Sequence, residues 1–162
     1  MSRIFSQQRA TMQIPLPDWA PNIHPLIIHF PIALWLVAVF FDFLWVVRRD
    51  NWIKKTTISI YSLAALGSVV AFFSGKQAID LVTVPFQGEV TASNHSDWGH
   101  YTLYFFLAYA VIRLVAYWRQ WDKKKAVAIF LFLLGIAGAG MVAKTADLGG
   151  KLVYKYGAGV KN

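Results

Sequence analysis

Four stretches of this chain are long and apolar enough to cross a bilayer as helices, which limits its fold more than anything else in the sequence. A spanning helix needs about 20 mostly apolar residues. The stretches run from about Pro25 to Val47, Thr57 to Phe73, Asp97 to Trp118 and Ala126 to Ala143. Lipid offers no partner for backbone N–H and C=O groups, so segments of this length satisfy them internally, as helices. Composition agrees, with 57% hydrophobic and 15% charged residues, where soluble domains carry about 25% charged. The expected fold is all-α, a transmembrane four-helix up-down bundle. The bundle would occupy residues 24–147, with a polar N-terminal tail over 1–23 and a C-terminal tail over 148–162 on the outer face. The N-terminal tail carries Arg3, Arg9 and Asp18 and no apolar run of signal length, so it should lead straight into the first span.

Charge sets the expected orientation. Arg48, Arg49, Lys54 and Lys55 fall between spans one and two, and Arg119, Lys123, Lys124 and Lys125 between spans three and four. The connection from Gly75 to Ser96 holds Lys76 against Asp80 and Glu89. Basic residues near span ends stay on the cytoplasmic side, which puts both termini and the middle connection on the outer, periplasmic side of a bacterial inner membrane. Lys144, Lys151, Lys155 and Lys161 run against this rule. Trp19, Trp45, Trp52, Trp98, Tyr101, Trp118 and Trp121 cluster where the interfaces would lie, as aromatic belts do. Pro25 suits a first helical turn. Pro31, deeper in span one, should kink or loosen that helix.

Several function classes drop out. With no cysteine, the chain has no disulfide, thiolate metal site or covalent c-type haem. The net charge of +8 is assigned to inter-span loops and anionic lipid rather than to nucleic acid. No HExxH, phosphate loop or Ser-His-Asp set is present, and GIAGAG at 135–140 does not match GxGxxG and lies within a span. No catalytic residues are expected. Serial intramembrane acids and a useful inverted repeat, which a pump or transporter would need, are also missing.

All four histidines lie at the outer ends of spans one and three: His24 and His29 in HPLIIHFPIALW, His95 and His100 in NHSDWGHYTLYFF. Ionisable groups at membrane depth are costly and usually functional. In an up-down bundle spans one and three are diagonal, and imidazoles from both can reach a group held between them. Haem b fits, since it needs axial nitrogens and no cysteine. His29 lies roughly 7 Å deeper than His24, and the two are about 140° apart around the helix; His95 and His100 are related in the same way. One haem would therefore take one histidine from each span, with His29 and His95 as the first pair to test and His24 and His100 as further candidates. A structural role for the histidines, or a zinc or copper site built from three or four of them, stands as the alternative.

Small residues recur every fourth position in span two (Gly67, Ala71, Gly75) and in span four (Gly135, Ala139, Ala143). Such stripes admit a neighbouring helix backbone or a flat cofactor. Asp42 and Arg113 are the charged residues inside the spans and lie at similar depth near the inner face. Either they pair across the diagonal, or Arg113 snorkels to the surface and Asp42 pairs with Arg48 or Arg49.

HPLIIHFPIALW, the His95–Gly99 spacing and the closing GGKLVYKYGAGV resemble the DUF2231 family over about Ile23 to Val160. The resemblance implies a four-helix bacterial inner-membrane protein. Some members are fused to cytochrome c-like modules, which implies haem-linked electron transfer. His24, His29 and His95 match the family pattern, and His100 lies outside it. The expected function is a membrane-embedded b-type haem protein in electron transfer, with a cytochrome c-like or quinone partner. The alternatives are a non-catalytic anchor or assembly subunit of a larger complex, and a His-ligated metal-binding membrane protein.

Overall fold

A computed structural model of the chain describes residues 22–160. The expected N-terminal tail up to residue 21, with Trp19, and Lys161 at the other end lie outside the described residues. Four helices follow one another: α1 His24–Arg48, α2 Asn51–Leu81, α3 Glu89–Trp118 and α4 Lys125–Tyr154. Short 3-10 turns at Phe86–Gly88 and Trp121–Lys123 precede α3 and α4. Each helix is long and apolar enough to cross a membrane. Each packs on two neighbours, α1 on α2 and α4, and α3 on the same two. Helices α1 and α3 are therefore diagonal, as expected of an up-down bundle.

The helices outrun the apolar stretches at several ends. Helix α2 takes in Lys54 and Lys55, and α3 begins at Glu89 rather than near Asp97. Helix α4 continues through Gly149 and Gly150 to Tyr154, so the first half of the expected C-terminal tail is helical. Beyond it the chain turns back at Gly157, whose φ is 67°. Tyr156 then lies against Gly88, where an added Cβ would sit 3.3 Å from the Tyr156 ring. Hydrogen bonding to Thr91, then to Lys155, holds the Tyr156 phenol below its ordinary range. The α1–α2 and α3–α4 connections both turn through a left-handed residue that is not glycine, Arg49 and Gln120, each with φ 58°. That conformation costs roughly 1–2 kcal/mol without glycine.

Large apolar side chains cover the outside: Leu26, Phe30, Phe40, Leu66, Phe73 and Leu133 are all more than half exposed. A surface this apolar is unsuited to water and matches lipid. Of the expected interfacial aromatics, Trp52, Tyr101, Trp118 and Trp121 are exposed. Trp45 is a correction. It is buried in the inner half of the bundle, with the Arg49 guanidinium 4.5 Å and the Arg113 guanidinium 5.6 Å from its ring.

At the centre, Trp35 stacks on Phe106 with ring centroids 3.5 Å apart. The Trp35 indole N–H donates to the Gly135 carbonyl at 2.9 Å. Two glycines of α4 make room for these rings: a Cβ on Gly138, which lies outside the expected stripe, would meet Trp35, and one on Gly135, within it, would meet the Tyr61 hydroxyl. Pro31 sits inside an unbroken α1 and packs on Gly67 of α2.

Below this layer Asp42 and Arg113 form the diagonal ion pair. The Arg113 Nη2 lies 2.9 Å from Asp42 Oδ1, and both side chains are essentially sealed from the surroundings. The directional hydrogen bond is the one from Nη1 to Oδ2 at 3.2 Å, since Nη2 and Oδ1 meet outside hydrogen-bonding angles. The Tyr61 hydroxyl donates to Asp42 Oδ2 at 3.5 Å. The Tyr109 hydroxyl donates to the Leu131 carbonyl at 2.8 Å and stands 3.4 Å from Oδ2. The snorkelling arrangement is not adopted; Arg48 pairs with Asp50 instead.

Asp42 and Arg113 are 71 residues apart, and that offset recurs. The buried positions of α1 are Pro31, Trp35, Ala38, Asp42 and Trp45; their counterparts in α3, Thr102, Phe106, Tyr109, Arg113 and Ala116, are buried too. Arg49 and Gln120 obey the same relation, as do His24 and His95. The chain is thus two equivalent helical hairpins, a parallel repeat rather than an inverted one.

Removing one partner of a buried pair leaves an uncompensated charge and costs about 3–5 kcal/mol, whereas replacing both with apolar groups is far milder. Asp42→Asn should therefore lower stability in micelles, measured by denaturant unfolding, by about 3 kcal/mol. The double replacement Asp42→Leu with Arg113→Met should recover most of that loss. Equal stability of Asp42→Asn and the unaltered protein would show that the pair does not hold the bundle.

Candidate functional site: a histidine pair at the outer end

The repeat brings one imidazole from each diagonal helix to the end of the bundle opposite the two short basic connections. His24 opens α1, where its backbone N–H donates to the Asn22 side chain at 3.0 Å. Its ring lies over Gly75 of α2; a Cβ there would come within 3.0 Å of Cε1. His95 of α3 lies over Gly149 of α4 with the same 3.0 Å clearance. Both rings are part-buried.

Hydrogen bonds fix the same tautomer in both. His95 Nδ1 is 3.0 Å from the Thr145 carbonyl, which only accepts, so Nδ1 carries the proton. His24 Nδ1 is 2.9 Å from Ser74 Oγ. The Ser74 hydroxyl proton is engaged with the Ala71 carbonyl at 2.8 Å, so Oγ accepts and Nδ1 donates. Each histidine therefore keeps the Nε2 lone pair available. This is how metal-ligating imidazoles are usually oriented by their surroundings. The separation from histidine to partner is 50 residues in both hairpins, so the repeat extends to the orienting groups.

His29 and His100 are placed differently. His29, which the sequence reading put first with His95, is exposed, and its Nδ1 bonds the Pro25 carbonyl of its own helix. His100 bonds the Ser96 carbonyl one turn back at 2.8 Å and meets the Phe72 ring edge-on, with centroids 4.7 Å apart. The hydrogen bonding of His24 thus resembles that of His95, with each ring held by a residue of the next helix, whereas His29 bonds within its own helix. The reason is helical phase: residues five apart on one helix face different ways, and it is the His24 direction that meets Gly75. Among the described residues no group of three or more His, Cys, Asp or Glu side chains is placed to hold a metal ion. The alternative site of three or four imidazoles is therefore not assembled.

Room for a ligand is also local. The middle of the bundle is filled by Trp35, Tyr61, Phe106 and Tyr109. Gly99, one turn from His95 on the same face, has no atom within 4 Å of where its side chain would begin. Sequence reasoning missed Ser74, Thr145 and Gly149 as neighbours of the histidines; the equal 50-residue spacing from each histidine to its partner was the signal that could have found Ser74 and Thr145.

Fold and site together define a four-helix membrane protein carrying a matched imidazole pair on its diagonal helices. The chain belongs to the family described as predicted membrane protein (DUF2231), which matches residues 20–162. No curated protein matches it, and no solved structure does.

The tautomer assignment is directly testable. In 15N spectra of histidine-labelled protein near neutral pH, His24 and His95 should both show a protonated Nδ1 and a bare Nε2. Ser74→Ala removes the hydroxyl acceptor, and His24 alone should then shift toward a tautomer mixture. Unchanged His24 signals would mean that Ser74 does not orient the ring.

Proposed function

We propose that this protein is a membrane-embedded b-type haem protein that takes part in electron transfer at the outer end of the bundle, with His24 and His95 as the axial ligands. The observation that carries the reading is the matched pair: two imidazoles from diagonal helices, each with Nδ1 bonded to the protein and Nε2 left as a bare donor. A structural zinc ion usually needs four protein ligands, and haem iron takes four nitrogens from its own macrocycle, so two protein donors suit haem. A haem held there would supply one-electron chemistry, at a potential set by its axial ligands and surroundings.

The chain's own residues supply the rest. Ser74 and the Thr145 carbonyl orient the ligands. Gly75 and Gly149 let the rings approach α2 and α4 closely, and Gly99, one turn from His95, has open space around it. The filled aromatic centre keeps the group at the outer end. Basic residues at the opposite end favour an inner-membrane orientation with the histidines facing the periplasm. A cytochrome c-like protein or a quinone, reached from that side, is the partner class that fits; membership of a larger complex is compatible with the same site.

Protein purified from cells with ample haem, or titrated with haemin, should be red and show a Soret band that shifts on dithionite reduction. His24→Ala and His95→Ala should each abolish six-coordinate binding, and Gly99→Leu should weaken it by filling the adjoining space. His29→Ala and His100→Ala should retain the spectrum. A protein that stays colourless after haemin titration, or spectra lost with His29 but not His24, would reject the assignment.

A further inference from the structure

A strongly basic cavity lies at the other end of the molecule, and the histidine site makes no use of it. It has a volume of about 410 Å³ and is lined by residues of the α1–α2 and α3–α4 connections, among them Arg49, Lys54, Lys55, Lys123, Trp45 and Tyr117. Ligand sites commonly fall in the range of about 300–1,000 Å³. Its charge is not cancelled from within. The nearby carboxylates are taken: Asp122 is buried and paired with Lys54 at 3.2 Å, and Asp50 is paired with Arg48 at 3.3 Å. Among the described residues Arg49, Lys55 and Lys123 form no ion pair.

Arg49 is held in place to serve such a cavity. Its backbone is left-handed, its guanidinium lies 4.5 Å from the Trp45 ring centroid, and its Nη2 donates to the carbonyls of Asp122 at 3.0 Å and Lys123 at 2.7 Å. Its Nη1 has no partner. Lys54 is likewise fixed, 4.9 Å from the Tyr117 ring centroid. Two pre-placed cations and two exposed ones thus surround one cavity at the charged end of a membrane bundle. A scattered set of basic residues that only marked topology would need no common cavity and no orientation by rings and carbonyls.

We infer that this cavity binds a single phosphate-bearing anion, with Arg49, Lys55 and Lys123 as its contacts. Arginine and lysine together give directional and point-charge recognition of phosphate oxygens. Two sources carry that chemistry at this depth: the headgroup of an anionic phospholipid, and a soluble phosphate compound. Basic pockets between membrane helices on the cytoplasmic side recognise lipid headgroups by the same means.

Native mass spectrometry of the full chain, released from nanodiscs containing phosphatidylglycerol or phosphatidylcholine, separates the outcomes. The expected result is one retained phosphatidylglycerol per chain, bound about tenfold more tightly than phosphatidylcholine. The double variant Lys55→Gln with Lys123→Gln should lose most of that preference. Both lysines are exposed, so the variant should fold, as an unchanged circular dichroism spectrum would verify. Displacement of the lipid by millimolar inorganic phosphate, or binding of phosphate alone, would identify the soluble source; retention of the lipid under phosphate would identify the headgroup. Equal retention of both lipids by both proteins, with no bound phosphate, would overturn the inference.

Discussion

Asp42 and Arg113 tie the two diagonal helices of the bundle together by a buried ion pair, and the rest of the architecture is arranged around that link. A charge inside a membrane protein is tolerated only when it is paired or solvated. Here the pair is sealed, its carboxylate is approached by two tyrosine hydroxyls, and its guanidinium is ringed by Trp45, Tyr61 and Tyr109. Such a pair contributes less to net stability than to specificity: any register of α1 against α3 other than the present one strands both charges. Fixing that register near the inner end also fixes what lies at the outer end of the same two helices. His24 and His95 stand about 27 Å above Asp42 and Arg113 respectively, at 1.5 Å per residue.

The repeat explains how one bundle has a symmetric histidine end and a complementary charged end. Positions related by the 71-residue offset face the bundle axis in both hairpins. At the outer end both hairpins hold histidine, oriented by a residue 50 positions on. At the inner end one holds aspartate and the other arginine. Like groups suit a ligand with two equivalent faces, and opposite charges suit each other. The tightly packed aromatic layer between them, centred on Trp35 and Phe106, separates the two ends.

Much of the fold was legible in the sequence. Apolar length and charged loops were enough for four helices, their alternating directions and the diagonal relation of α1 to α3, because bilayer thickness and backbone satisfaction leave few options. Helix ends were not legible, because α2 and α4 carry polar first or last turns that no hydropathy pattern separates from loop. The histidines were legible, but the matching surroundings of His24 and His95 were not. Depth drew attention to His29, whereas ring direction depends on helix phase, which places His24 against Gly75. Trp45 looked like an interfacial anchor because tryptophan usually is one there; Arg49 and Arg113 instead hold it inside as a cation–π partner. Asp42 and Arg113 could be placed at one depth, but whether they met depended on helix rotation, which the 71-residue spacing would have revealed.

The central claim is that two oriented imidazoles on diagonal helices act together on one bound group. Electron paramagnetic resonance of the ferric protein, loaded with haemin in micelles, tests it most directly, because spin state reports whether both axial positions are filled by strong nitrogen donors. The account predicts a low-spin, six-coordinate spectrum of the bis-imidazole type. A high-spin spectrum with a single protein ligand would contradict it.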